Sequence, residues 1–236
     1  AVVREMERYD GVFADTLYFG GGTPSLLGGK ALTAVIAAAR KRFSLSDDAE
    51  VTLEANPADD LYETLSAFAA AGGNRLSLGM QASSSDRLKT LGRRHTPHDV
   101  ARTVADARRA GIENISLDLM LAVPGQDAAA VTADVETCAA LGVQHVSAYL
   151  LKIEEGTPFE KLRDTLSLPD DDTAAELYLA AVAALERAGF AQYEISNFAK
   201  PGFESRHNLK YWTGAPYLGF GPAAHSFFDG RRFYYP

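Results

Sequence analysis

The sequence predicts an α/β chain of parallel βα units, and three observations carry that prediction. Short β-branched, apolar or aromatic runs alternate with helical patterns along most of the 236 residues. Helical stretches end at Gly72, Gly111, Gly142 and Gly189, residues suited to a left-handed C-terminal cap. Thr96 and Asp170 stand where helix starts need a side-chain oxygen. Strands separated by helices pair in parallel, as an open doubly wound sheet or as a barrel.

The elements follow in order. Val2, Val3, Met6 and Tyr9 mark one face of an amphipathic helix. Strands are expected at Thr16–Gly20, Val51–Ala55, Arg75–Met80, Ile115–Leu121 and Val146–Ile153, where apolar residues cluster between breakers. Helices are expected at Lys30–Phe43, Ala58–Ala71, Ser84–Leu91, Pro97–Ala110, Ala128–Leu141 and Asp171–Ala188. A loop surrounds Pro158–Pro169. From Phe190 the alternation fades; Tyr193–Ser196 reads as a further strand, followed by short aromatic, glycine and histidine phrases.

With 47% hydrophobic and 23% charged residues the chain can bury one large core. A net charge of −8 argues against nucleic acid as a partner. No apolar run reaches the length of a membrane span. The single cysteine, Cys138, excludes an internal disulfide framework and fits a cytoplasmic setting, and no signal peptide is visible. The chain opens without a start methionine and stops in an aromatic phrase, so we read it as the middle of a longer protein.

Chemistry concentrates at the strand ends. Gly20-Gly21-Gly22-Thr23-Pro24 follows the first strand; glycines free the backbone N–H groups to face a ligand. Thr23 and Pro24 suit the start of a helix. Glu54 ends the second strand, Gln81 the third, the fourth carries Asp118, and the fifth runs on to Lys152 and Glu154. In parallel βα architectures ligands bind at these carboxyl ends. Each residue has a structural alternative, as a helix-terminus carboxylate or a satisfied loop group. Their convergence on one rim favours a site. The set fits a zwitterion, with glycine-loop carbonyls and Glu54 for an ammonium and Arg93 for a carboxylate.

Several phrases together carry a resemblance. They are Tyr18-Phe19-Gly20-Gly21-Gly22-Thr23-Pro24, Leu53-Glu54-Ala55-Asn56-Pro57, Arg75-Leu76-Ser77-Leu78-Gly79-Met80-Gln81, Leu91-Gly92-Arg93 and Leu117-Asp118 through Gly125-Gln126. In order and spacing they resemble the radical S-adenosylmethionine (SAM) proteins of the oxygen-independent coproporphyrinogen oxidase-like group. The resemblance implies a partial (β/α)6 TIM-like barrel over residues 1–189, with the first strand here being the family's second. Residues 190–236 would then be the barrel end and the start of a C-terminal extension. It implies that Gly21, Gly22 and Thr23 line the methionine part of SAM and that Glu54, Arg93, Gln81 and Asp118 complete the pocket. The family's Cys-x3-Cys-x2-Cys loop, which binds a [4Fe–4S] cluster, is absent. Cys138 alone cannot replace it, so no catalytic residue is assigned and this chain is not expected to cleave SAM reductively.

His207-Asn208-Leu209-Lys210-Tyr211-Trp212 and Gly219–Ser226 resemble the heme-chaperone branch of that group. A neutral histidine can ligate heme iron, and Tyr211 and Trp212 offer flat faces to a porphyrin. The structural alternative is a core histidine with Trp212 packing the barrel mouth. On the resemblance His207 is the first candidate iron ligand and His225 the second; His95, His98 and His145 read as structural or exposed. The branch implies heme as cargo and a respiratory hemoprotein as acceptor, with room for peripheral membrane association through it and for a homodimer. The alternatives are oxidative decarboxylation of coproporphyrinogen III through a 5′-deoxyadenosyl radical, and an unrelated βα-barrel enzyme using the glycine turn for a phosphorylated metabolite.

Overall fold

A computed structural model describes residues 1–57 and 60–235. It opens with a short helix, α1 (Val2–Met6), and a strand, β1 (Phe13–Phe19). Four βα repeats follow. They comprise α2 (Gly28–Arg42), β2 (Ser44–Ala55), α3 (Tyr62–Ala70), β3 (Arg75–Gln81), α4 (Ser85–Thr90), α5 (Pro97–Arg109), β4 (Asn114–Leu121), α6 (Ala128–Ala140) and β5 (His145–Leu150). Then come α7 (Pro158–Leu162), α8 (Asp171–Arg187), β6 (Ala191–Gln192), β7 (Asn197–Ala199), α9 (Arg206–Thr213), β8 (His225–Phe228) and β9 (Arg231–Tyr234).

The main sheet has the order β1-β2-β3-β4-β5-β7-β6, with β1 to β5 parallel. β7 runs antiparallel to β5, and β6 antiparallel to β7. It is the curled half-barrel of a partial TIM-like α/β fold, so the barrel expectation holds. β8 and β9 form a separate hairpin.

Successive side chains in a strand point to opposite faces. Val51, Leu53, Leu76, Leu78, Ile115, Leu117, Leu119, Leu121 and Val146 are buried in one core with the helices of the outer face. The alternate positions are polar and stand in register across the inner face. Tyr18 pairs with Thr52, Thr52 with Arg75 and Arg75 with Asn114. The next row is Glu54, Ser77, Ser116 and His145, and above it Asp118 pairs with Ser147, which pairs with Asn197.

The caps behave as the sequence predicts. Thr96 and Asp99 close a capping box on α5, and Asp170 accepts from the Thr173 N–H on α8. Gly72, Gly111, Gly142 and Gly189 all have positive φ. Three expectations change. Thr23 makes no side-chain cap, because the turn at Pro24–Leu27 is a 3-10 turn and its hydroxyl bonds Asn56 instead. Tyr193–Ser196 is the turn between β6 and β7, tied by Tyr178 donating to the Ile195 carbonyl at 2.7 Å. β5 ends at Leu150, and Lys152 and Glu154 pair with each other beyond it, exposed, at 3.1 Å. Ala58, where a helix start was expected, lies outside the described residues; the described helix begins at Tyr62.

One buried carboxylate fixes the loops above β3 and β4. Asp134 on α6, 1% exposed, accepts from the Ser83 backbone and hydroxyl at 2.7 and 2.6 Å and from Arg87 at 2.7 Å. Gln126, on the loop after β4, donates to its other oxygen at 3.4 Å. Asp134→Ala leaves a half-buried guanidinium unpaired. It should cost about 3–5 kcal/mol in urea unfolding, whereas Asp86→Ala, whose partner Lys89 is fully solvated, should leave the midpoint unchanged.

Candidate functional site

The residues singled out in the sequence fall on two levels. The rim is built by loops after β1, β2 and β3. Gly21 and Gly22 have φ of 79° and 139°, and open space lies where a side chain would start. Asn56 joins this turn to the other side of the rim: its amide nitrogen donates to the Thr23 hydroxyl at 3.0 Å, and its oxygen accepts from Arg93 at 3.2 Å. Gln81 is 7% exposed and holds a left-handed φ of 68°, which costs a non-glycine residue energy and aims its side chain off the strand. A methyl group on Gly79 would come within 2.8 Å of the Gln81 amide and 3.0 Å of the Asn56 oxygen, so Gln81 and Asn56 meet over that glycine.

Below the rim lies an interior cavity of about 260 Å³, lined by Tyr18, Glu54, Arg75, Asp118, Ser147 and His207 among others. Tyr18 donates to Glu54 at 2.6 Å, and Gly20 leaves room for that pair, since a methyl group there would lie 2.6 Å from the Tyr18 ring. Asp118 accepts from Ser77 at 3.2 Å. Burial pushes its carboxyl up to about 6, with nearby Glu54 adding to the rise and Ser147, Ser77 and Arg75 opposing it. Asp118 is therefore mostly ionised at pH 7 and titrates just below.

His207 sits at the opening of this cavity. Its ring stacks on Tyr18 with centroids 4.9 Å apart. Nδ1 bonds the Thr16 hydroxyl at 2.8 Å, and Nε2, on the more exposed side, bonds the Tyr211 hydroxyl at 3.0 Å. Burial, helped by the charges of Lys210 and Arg75, presses its pKa down to about 4, so the ring is neutral at pH 7. Glu50 holds the helix that carries it: one carboxylate oxygen accepts the His207 N–H at 3.0 Å, and the other accepts the Arg206 N–H at 3.0 Å. Lys210 is clamped to Asp15 at 2.7 Å.

His207 also borders a second, larger and more apolar groove of about 540 Å³, which runs along β1. Tyr211, Tyr217, Phe220, Phe228 and His225 line it as well. Trp212 is 54% exposed and outside both linings, so it does not pack the barrel mouth. His145 bonds Ser116 at 2.7 Å and Tyr193 at 2.8 Å and is buried; His95 bonds the Met80 carbonyl. Sequence reasoning missed Asn56, Glu50 and Arg75. Glu50 and Arg75 share the inner parity of Glu54 and Ser77 on their strands, and that alternation is the signal that finds them.

Among the described residues no group of three or more His, Cys, Asp or Glu side chains could hold a metal ion. Cys138 is buried with its sulfur 3.8 Å from that of Met80, and burial pushes its thiol pKa up. The residues present do not fit a [4Fe–4S] cluster. Their chemistry is compatible with SAM: an open glycine backbone and the Arg93 guanidinium stand on the rim, and the Glu54 carboxylate lies on the level below.

Comparison with known proteins bears on the family and the fold. The chain is 42% identical over 229 residues to the heme chaperone HemW of Mycobacterium tuberculosis, covering 96% of this chain and 59% of that protein. It is 37% identical over 235 residues to HemW of Lactococcus lactis, covering 99% and 62%. The chain thus spans about three-fifths of the length of these relatives. Among solved structures, the coproporphyrinogen III oxidase HemN of Escherichia coli, a radical SAM enzyme, superposes with a TM-score of 0.78 at 21% identity, covering 95% of this chain and 55% of that one. Its likeness bears on the fold. The model of the radical SAM superfamily, a family that implies SAM and a [4Fe–4S] cluster, matches residues 1–138, more than half the chain, and the chain belongs to that superfamily.

Proposed function

We propose that the protein is a cytoplasmic heme chaperone on a radical SAM scaffold, which receives heme and passes it to a respiratory hemoprotein. The observation that carries this reading is His207: a neutral imidazole on the wall shared by the polar cavity and the apolar groove. Thr16 holds Nδ1, which orients the ring and fixes Nε2 as the nitrogen for iron. Ligation displaces the Tyr211 hydroxyl, the more exposed of the two partners. The groove volume lies within the range of small-molecule sites, and its aromatic lining suits a flat apolar macrocycle. His225 borders the same groove and is the second candidate ligand. Similarity to HemW proteins at 37–42% identity supports the same reading, whereas the likeness to HemN favours decarboxylation less.

SAM, when bound, brings a sulfonium cation and an α-amino acid end to the rim. On this reading Gly21, Gly22 and Thr23 line its methionine part, Glu54 holds its ammonium and Arg93 its carboxylate. Gln81 closes the rim, and Asp118 supplies negative charge beneath. The cavity keeps both carboxylates hydrogen-bonded before a ligand arrives, so little reorganisation is needed on binding.

Three outcomes test this. His207→Ala should weaken or shift the Soret band of a saturable heme titration; an unchanged band removes His207 from the account. Glu54→Gln keeps the Tyr18 bond but loses the charge, and should weaken SAM binding about 10- to 100-fold in equilibrium dialysis. Because protonation of Asp118 removes charge from beneath a cation, SAM affinity should fall as pH drops through about 6. Asp118→Asn should bind weakly at all pH values and lose that dependence.

A further inference from the structure

Arg75 is a buried inner-face cation that lines the interior cavity without an ion pair among the described residues. It opens β3, is 2% exposed, and lines the cavity beside Ser77, Ser147 and Asn208. Its Nε has no hydrogen-bond partner, and no ion pair or hydrogen bond joins its guanidinium to any described residue. The two carboxylates in the cavity spend hydrogen bonds on other groups, Glu54 on Tyr18 and Asp118 on Ser77, and Asp118 feels the Arg75 charge without forming an ion pair with it. The histidines that face it do not help: His207 is neutral, and burial together with Arg75 itself holds His145 well below its usual pKa.

A guanidinium stays protonated at any working pH, so burial cannot neutralise it as it can a lysine or a carboxyl. Water can satisfy its N–H groups, and Asp118 offsets part of its charge, but no group forms the paired fork-to-carboxylate contact that a buried guanidinium favours. A planar donor fork facing an enclosed polar space is the arrangement that recognises a carboxylate. The side-chain amide of Asn208, on α9 one residue after His207 and beside the Tyr193 hydroxyl, lines the same space. We propose that Arg75, with Asn208, is a carboxylate-binding site on the floor of the interior cavity.

Two ligands of the proposed function carry a carboxylate: the propionate side chains of a porphyrin and the amino acid end of SAM. The porphyrin source rests on the heme reading, because it places a propionate inside the cavity whose opening His207 guards. The SAM source does not.

The test compares heme with heme dimethyl ester, and SAM with decarboxylated SAM, on the wild-type protein and on Arg75→Met. Methionine fills the space of the arginine stem and removes only the buried charge, so the variant should unfold at the same or higher urea concentration. If heme binds the wild type about 10- to 100-fold more tightly than its ester, and the variant abolishes that difference, the site takes a propionate. If the variant instead loses discrimination between SAM and its decarboxylated form, the site takes the SAM carboxylate in place of Arg93; discrimination kept by the variant in both pairs overturns the proposal. Wild type that ignores the carboxylate in both pairs overturns the proposal, whatever the variant does. A wild type with no saturable Soret band sinks the heme reading alone, and the SAM pair still decides the site.

Discussion

The structure depends on a strict parity in its parallel strands. Parallel strands covered on both faces read as continuous apolar runs, whereas β2 to β5 alternate. Odd positions of β2 (Val51, Leu53) and even positions of β3 (Leu76, Leu78) are apolar and sit under the helices. Their neighbours Thr52, Glu54, Arg75 and Ser77 are polar and sit inside. A one-residue slip in any strand would bury charges under the helices and turn leucines into the cavity. The same alternation therefore sets the register and builds the site.

A polar interior is costly, and the fold offsets most of that cost with internal bonds. Tyr18 binds Glu54, Ser77 binds Asp118, and Ser116 and Tyr193 hold His145. What is left over is informative. The Asp118 carboxyl is raised to about 6 because its hydroxyl partners do not fully replace water. The Arg75 Nε has no hydrogen-bond partner and its guanidinium forms no ion pair among the described residues. A core selected for stability alone would have satisfied or removed both, and the proposed ligand site is the reading that accounts for keeping them.

Much of this was legible beforehand. The βα order, the glycine caps, and the placing of Glu54 and Gln81 at strand ends and of Asp118 within the fourth strand follow from local propensity and spacing, which act over a few residues. What escaped was long-range. Glu50 meets the N–H groups of Arg206 and His207 across more than 150 residues of chain, and no local pattern announces that contact. Tyr193–Ser196 misled because Tyr and Ile suit a strand, yet the Tyr178 hydroxyl captures the Ile195 carbonyl and bends the segment into a turn. Asn56 looked like part of a motif; its role as a tie between Thr23 and Arg93 appears only when three loops stand side by side.

The packing of His207 bears on how a carrier releases its cargo. An iron ligand that is free in the absence of heme gains the full bond energy on binding. On the proposed function, Nε2 would first give up the Tyr211 hydroxyl and regain it when iron leaves. Thr16 and the Tyr18 ring keep the imidazole in place throughout, and Glu50 and Lys210 keep α9 on the barrel. The exchange is thus one side-chain contact for another on a rigid wall, with no chain segment to refold. On that proposed reading the site would hold heme less tightly than an open imidazole, a trade that suits transfer better than storage.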